Sequence, residues 1–233
     1  YDKVIANNLT HRYYCCDVME KDSLTVKILE WENPSSCMIF CNMKRDVSYL
    51  EQVLTNHGFN VAALSGDVAQ KLRERTLENF RKQKINILIC TDVAARGIDV
   101  SHVTHVIVYD HPEDKEVYVH RSGRTARAGK EGVAISLITP VEEIELQKTA
   151  ADFGIQFEKM PPITDEMLTN RLQERLLDSL EREKRNIRPL DKARLERFIP
   201  LVEEMAKDQD QKETLAMLLD QYLKKQKGNH GKN

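Results

Sequence analysis

Up to about residue 155 the sequence alternates short apolar, β-rich runs with longer amphipathic stretches, and this alternation constrains the fold more than any other feature. The runs are Tyr13–Val18, Cys37–Cys41, Val61–Leu64, Ile85–Cys90, Val103–Tyr109 and Gly132–Ile138. Between them, KDSLTVKILEWEN, KRDVSYLEQVLTNHG and AQKLRERTLENFRKQ carry apolar residues three or four apart. Val47, Leu50, Val53 and Leu54 make one such stripe, and Gly58 closes that helix. Strands separated by helices of this length predict a parallel sheet flanked by helices on both faces. In such sheets ligands gather beyond the carboxyl ends of the strands, so the loops after the runs are where chemistry is expected.

Past Met160 the pattern changes. Pro161 and Pro162 punctuate the chain and no further β-rich run appears. Met167, Leu168, Leu172, Leu176, Leu177 and Leu180 stripe one helix, and a second, Leu195 to Met205, is interrupted by Pro200. A third carries Leu215, Leu218, Leu219, Tyr222 and Leu223. Such stripes need a surface to bury them. The expected organisation is a sheet domain over 1–158, a small all-α module over 159–225 and a disordered basic tail over 226–233. A formal net charge of -2 means that any nucleic-acid surface must be local. No apolar run approaches the roughly 18 residues of a membrane span. The five cysteines form no CxxC pair and read as free thiols, which places the chain in a reducing cytoplasm.

Two strand ends stand out. In Ile87–Asp99 an apolar run leads into Thr91 and Asp92, then small residues, then Arg96, Gly97 and Asp99. Small side chains admit a close backbone approach, Thr91 and Arg96 suit phosphate oxygens, and Asp99 suits a sugar hydroxyl. A plain turn with a surface ion pair is the alternative. In Tyr118–Gly129 the guanidinium groups of Arg121, Arg124 and Arg127 recur every three residues. On a helical turn they would crowd one side and repel unless an anion lay among them. A solvated basic helix is the alternative, and the bracketing Gly123 and Gly129 argue against it. His57, His102, His105 and His111 show no ligand spacing and read as structural.

The order of these blocks resembles motifs V and VI of superfamily 2 helicases, specifically the DEAD-box RNA helicases. Met38–Lys44, with Phe40 and Asn42, resembles motif IV. Leu64-Ser-Gly-Asp67 with Gln70-x-x-Arg73-Glu74 resembles the next RNA-facing block, and Val106–Pro112 the strand between motifs V and VI. The likeness covers roughly residues 10 to 155 and implies a RecA-like fold, the second of two such domains. It implies that Phe40, Asn42, Gly66, Asp67, Gln70, Arg73, Thr91, Arg96 and Gly97 face single-stranded or duplex RNA without reading its sequence. Asp99, with Gly97, would bind the ATP ribose. Arg124 and Arg127 would be catalytic arginine fingers for the γ-phosphate, while His120 and Arg121 would belong to a network across the interdomain cleft.

The pattern departs from the family at Ala126, where Gly is usual, and at Ser122 and Met43. One added methyl at Ala126 is expected to leave the turn helical. No P-loop or DEAD sequence is present: Gly123–Lys130 has five residues between its glycines and Glu131 after its lysine. ATP with Mg2+ would therefore be held mainly by the first RecA-like domain, and this chain alone is expected to be inactive. The helical part resembles the dimerisation region of bacterial cold-shock DEAD-box proteins, which implies a homodimer through 163–223 and roles in ribosome assembly or RNA decay. The competing readings are a non-enzymatic RNA-binding module and half of a superfamily 2 DNA helicase.

Overall fold

The computed structural model describes residues 8–95 and 102–229. They form two compact units that divide between Ile163 and Thr164. The first holds β1 (Leu9–Cys15), α1 (Lys21–Glu32), β2 (Cys37–Phe40), α2 (Lys44–Asn56), β3 (Val61–Leu64), α3 (Gln70–Arg81) and β4 (Ile87–Cys90). There follow α4 (Asp92–Ala95), β5 (His105–Val108), α5 (Lys115–Ser122), β6 (Gly132–Ile138), α6 (Glu142–Phe153) and β7 (Phe157–Lys159). The strands make one seven-stranded sheet in the order β3-β4-β2-β5-β6-β1-β7. Every pairing in it is parallel.

Each residue of β2 and β4 is buried, which requires cover on both faces because successive side chains point to opposite sides. On one face Met38, Phe40, Leu88, Cys90, Val106 and Val108 pack with Leu77 and Phe80 of α3 and Tyr118 of α5. Cys37, Ile39, Ile87, Ile89 and Ile107 fall on the other and are equally buried. This is the predicted parallel sheet with helices on both sides. Two edges of the prediction move. β1 starts four residues before Tyr13 and stops at Cys15, because His11 points inward against Tyr118 and Phe157 while Asp17 and Glu20 form a capping box around Val18–Glu20. β7 was not expected. It is a three-residue edge strand paired to β1 at His11, Arg12 and Tyr13, too short to show a period. All five cysteines are free: Cys37, Cys41 and Cys90 are buried, Cys15 and Cys16 half-buried.

The second unit, Thr164–Asn229, contains α7 (Asp165–Arg185), α8 (Pro189–Glu196), α9 (Ile199–Met205) and α10 (Gln209–Asn229). The expected single helix over Leu195–Met205 is two helices. Pro200 lies in the first turn of α9, where its missing N–H would have had no partner, so it starts a helix rather than interrupting one. The disordered tail expected over 226–233 is corrected in part, since α10 runs through Asn229. Residues 230–233 lie outside the described residues. Among the described residues no helix is long and apolar enough to cross a membrane.

Candidate functional site

The carboxyl ends of β4, β2 and β5, neighbours in the sheet, are tied together by one guanidinium. Arg121, 2% exposed, leaves α5 and reaches inward. Its Nε and Nη2 donate to the two carboxylate oxygens of Asp92 at 2.8 and 2.7 Å, a bidentate fork. Nη2 also donates to Asn42 Oδ1 at 2.6 Å and Nη1 to the Asp110 carbonyl at 2.6 Å. The guanidinium carbon stands 5.6 Å from the centroid of the Phe40 ring. Asn42 is itself held: its N–H donates to Asp110 Oδ2 at 3.0 Å and its Nδ2 to the His111 carbonyl at 3.1 Å. Asp92 follows β4, Asn42 follows β2 and Asp110 follows β5, so each strand delivers one partner. This is also a topological switch point: of the neighbours β2 and β5, the chain leaves β2 toward β3 on one side and β5 toward β6 on the other.

Arg121 therefore leaves the group of three arginines. The anion that its charge requires is Asp92, an internal carboxylate, and no ligand need lie among the three. The helix ends at Ser122, and Arg124 and Arg127 follow in a turn, both half-buried. The Arg124 N–H donates to the Arg121 carbonyl at 3.1 Å, and Arg127 Nε to the Gly123 carbonyl at 3.0 Å. Thr125 Oγ1 pins the turn to the Val103 carbonyl at 2.6 Å. Ala126 adopts φ 59, ψ 29, in the left-handed region, so the expectation that alanine leaves this turn helical is corrected. That conformation is one glycine takes without strain. Gly132, at the start of β6, runs beneath the turn. A Cβ there would overlap the Thr125 hydroxyl and stand 2.6 Å from the Ala126 nitrogen. Sequence reasoning passed over Gly132 because nothing in its neighbours signals the close approach.

Along the adjacent edge, β3 leads to Gly66 and Asp67, and α3 opens with Gln70 and carries Arg73. Asp67 pairs with Lys44 at 2.5 Å, Gln70 donates to Glu74 Oε1 at 2.7 Å, and Arg73 is half-buried. Thr91 directly follows β4, the neighbouring strand, and is 7% exposed, its carbonyl accepting from the Ala95 N–H at 3.0 Å. The exposed members of this edge are Gly66, Asp67 and Gln70; His120, on α5, is also exposed. Phe40 is corrected: at 1% exposure its ring belongs to the core beneath Arg121 and offers no surface to a ligand. Arg96, Gly97 and Asp99 lie outside the described residues. Lys21 and Glu142 were also missed. Lys21, 4% exposed, holds its ammonium 3.6 Å from Asp110 Oδ1 and 3.9 Å from Glu142 Oε2, while Glu142 accepts from the Thr139 N–H and hydroxyl. Among the described residues no three metal-binding side chains cluster. Burial pushes the Cys90 thiol at the end of β4 up to about 12, so it stays protonated.

The helicase conserved C-terminal domain family matches residues 20–129. The DEAD-box ATP-dependent RNA helicase CshA of Geobacillus kaustophilus is 39% identical over 191 residues, covering 78% of this chain and 41% of that protein. In the structure of Escherichia coli DEAD-box protein SrmB bound to regulator of ribonuclease activity A, the likeness covers 68% of this chain and 93% of that one at 32% identity, TM-score 0.63. Saccharomyces cerevisiae Dbp5 bound to RNA and ADP BeF3 gives a TM-score of 0.65 at 30% identity over 73% of this chain and 46% of that one. Among the curated relatives matched, the chain spans between 34% and 41% of the full length. With the parallel sheet and its strand-end cluster, these likenesses place the chain in the DEAD-box helicase family, as a C-terminal RecA-like domain.

Proposed function

We propose that this chain is the second half of an ATP-dependent RNA helicase, a split active site completed by a first RecA-like domain that holds ATP with Mg2+. The observation that carries the reading is the Arg121–Asp92 fork. It joins Thr91, at the end of the candidate RNA edge, to the turn bearing Arg124 and Arg127. One rigid polar junction then serves both ligands, which supports reciprocal coupling between RNA and ATP. In this reading Gly66, Asp67, Gln70, Arg73 and Thr91 hold the sugar–phosphate backbone. A carboxylate such as Asp67 suits a ribose 2′-hydroxyl, which favours RNA over DNA. Arg96, Gly97 and Asp99 extend the RNA edge and the ribose contact. Arg124 and Arg127 neutralise charge on the γ-phosphate when the two domains close, and His120 meets the first domain across the cleft. Likeness to Dbp5 bound to RNA and ADP BeF3 supports the same assignment.

The experiment is ATP turnover with and without RNA. The chain alone is expected to give none. Joined to a first RecA-like domain of the family it should give RNA-stimulated turnover, which Arg124→Ala should lower by about a thousandfold. Turnover by the isolated chain, or an unaffected Arg124→Ala protein, would reject the reading in favour of a non-enzymatic RNA-binding module.

For the helical unit we propose homodimerisation within 163–223. Phe198, Ile199, Leu201, Val202 and Leu218 are each about half exposed and leave apolar side chains that a second copy would cover. Leu176 is already buried in the single chain, so its substitution would test folding rather than association. Sedimentation equilibrium should give twice the 26.9 kDa chain mass, and Phe198→Asp with Leu218→Asp should halve it. A single-chain mass for the unsubstituted protein at all concentrations would exclude the dimer. A reducing cytoplasm and a role in ribosome assembly or RNA decay belong to the same proposal.

A further inference from the structure

We infer that Lys21 is a positioning residue for the turn that carries Arg124 and Arg127, a role resting on the function proposed above. Lys21 is the first residue of α1, outside every block to which the sequence assigned chemistry, yet its side chain is almost wholly buried. Removing an ammonium from water is costly, and a methionine would fill the same space without that cost. The neighbours of the ammonium explain its presence. Asp110 Oδ1 lies 3.6 Å away and Glu142 Oε2 3.9 Å away, and the Tyr109 ring centroid is 5.8 Å from the nitrogen.

Asp110 is shared between two cations. Its Oδ1 faces Lys21, its Oδ2 accepts the Asn42 N–H, and its main-chain carbonyl accepts Nη1 of Arg121. The Arg121 carbonyl in turn accepts the Arg124 N–H. From Lys21 to Arg124 the path is therefore one ion pair and two hydrogen bonds, running from the end of β5 to the end of α5. Glu142 extends it to β6 through the Thr139 N–H and hydroxyl. Without the ammonium, Asp110 and Glu142 face each other as like charges. The Asp110 peptide then shifts, and with it Arg121 and the turn beyond. Lys21 touches neither nucleotide nor RNA in this scheme and acts only through Asp110.

The test uses the chain joined to its first RecA-like domain, comparing Lys21→Met, Asp110→Asn, the two combined, and Arg124→Ala. Lys21→Met should lower kcat by about tenfold or more, since small displacements of a catalytic group act on the chemical step. KM for ATP should stay within about twofold, because ground-state binding is left to the other domain. The combined variant leaves neither charge alone, keeps the acceptor for the Asn42 N–H, and should recover most of the lost kcat. Thermal midpoints are measured for each. An unchanged kcat in Lys21→Met overturns the inference, and so does a combined variant that recovers thermal stability but not kcat. If Lys21→Met does not fold, the combined variant decides. Loss of turnover in Arg124→Ala with none in Lys21→Met rejects this inference alone, whereas intact turnover in Arg124→Ala rejects the proposed function and this inference with it.

Discussion

The sheet unit keeps two cations, Lys21 and Arg121, inside, and the helical unit keeps hydrocarbon outside. In the first, Arg121 and Lys21 are buried among Asp92, Asp110 and Glu142 under a sheet whose central strands are covered on both faces. In the second, Leu168 and Leu176 are the buried residues among those described, while Phe198, Ile199, Leu201, Val202 and Leu218 stand half exposed. A buried ion pair is weak evidence of stability, because well-packed apolar residues often serve as well. It does hold geometry: a guanidinium fork accepts its partners in few arrangements. The sheet unit therefore spends polar groups on fixing a shape, and the helical unit leaves apolar area for a partner. The stability of the first should be independent of protein concentration. That of the second should rise with concentration if copies associate.

The largest effect expected is that of Arg121→Met. It leaves Asn42 Oδ1 and the Asp110 carbonyl without their donor and Asp92 without its cation, a loss of about 3–5 kcal/mol for a buried pair. Partial exposure of Asp92, 39% at its side chain, favours the lower end. The single tryptophan, Trp31 in α1, reports unfolding of the sheet unit in urea. The urea midpoint should fall equally at low and high protein concentration, whereas Leu218→Asp should change the sedimenting mass and leave that midpoint in place. A loss under about 1 kcal/mol for Arg121→Met would break the comparison, since the fork would then fix little.

Acid should act next, and on one unit only. His11 donates or accepts at Nδ1 with the Tyr118 hydroxyl at 2.7 Å, and its Nε2 is buried without a hydrogen-bond partner. Burial lowers its pKa from 6.5 to about 4, and burial also lowers His102 and His111. The folded pKa lies below the unfolded one, so between them the unfolded chain binds more protons. Stability is then full above about pH 6.5 and falls as pH drops toward 4, by about 3 kcal/mol from His11. No histidine lies between Thr164 and Asn229, so the helical unit lacks this dependence. His11→Gln should flatten the slope of the Trp31 midpoint between pH 6.5 and 4. An unchanged slope would show that His11 is not the group that titrates.

Periodicity made most of the fold legible. Six of the seven strands were foreseen from apolar runs and the first three long helices from three-and-four spacing. β7 escaped because Phe157-Glu-Lys159 is too short to carry a period, and its pairing depends on β1, whose His11, Arg12 and Tyr13 lie at the far end of the sequence unit. The site was legible in its blocks but not in its depth. Arg121, Arg124 and Arg127 look alike at a spacing of three, and only burial beside Asp92 sets the first apart. Phe40 sits in a strand-end motif, yet a fully covered strand turns its ring to the core. Lys21 carries no local signal at all, because its partners Asp110 and Glu142 are contributed by distant strand ends.

The smallest effect sharpens the comparison within the sheet unit itself. Gly132→Ala would set a methyl against the Thr125 hydroxyl and 2.6 Å from the Ala126 nitrogen, and the turn above has little room to yield. Thr125 is pinned to the Val103 carbonyl, and Ala126 already holds a left-handed backbone. Overpacking of this kind costs about 1–3 kcal/mol. Gly66→Ala is the control: its methyl would meet Lys44 Cε at 3.8 Å, ordinary contact with the far end of a mobile side chain, and should change stability by less than about 0.5 kcal/mol. The difference between the two substitutions, read from Trp31 midpoints, measures how much more tightly the arginine turn is held than the β3 edge. Equal losses would mean that the turn relaxes as freely as an open loop, and that the buried network beneath it does not reach Arg124.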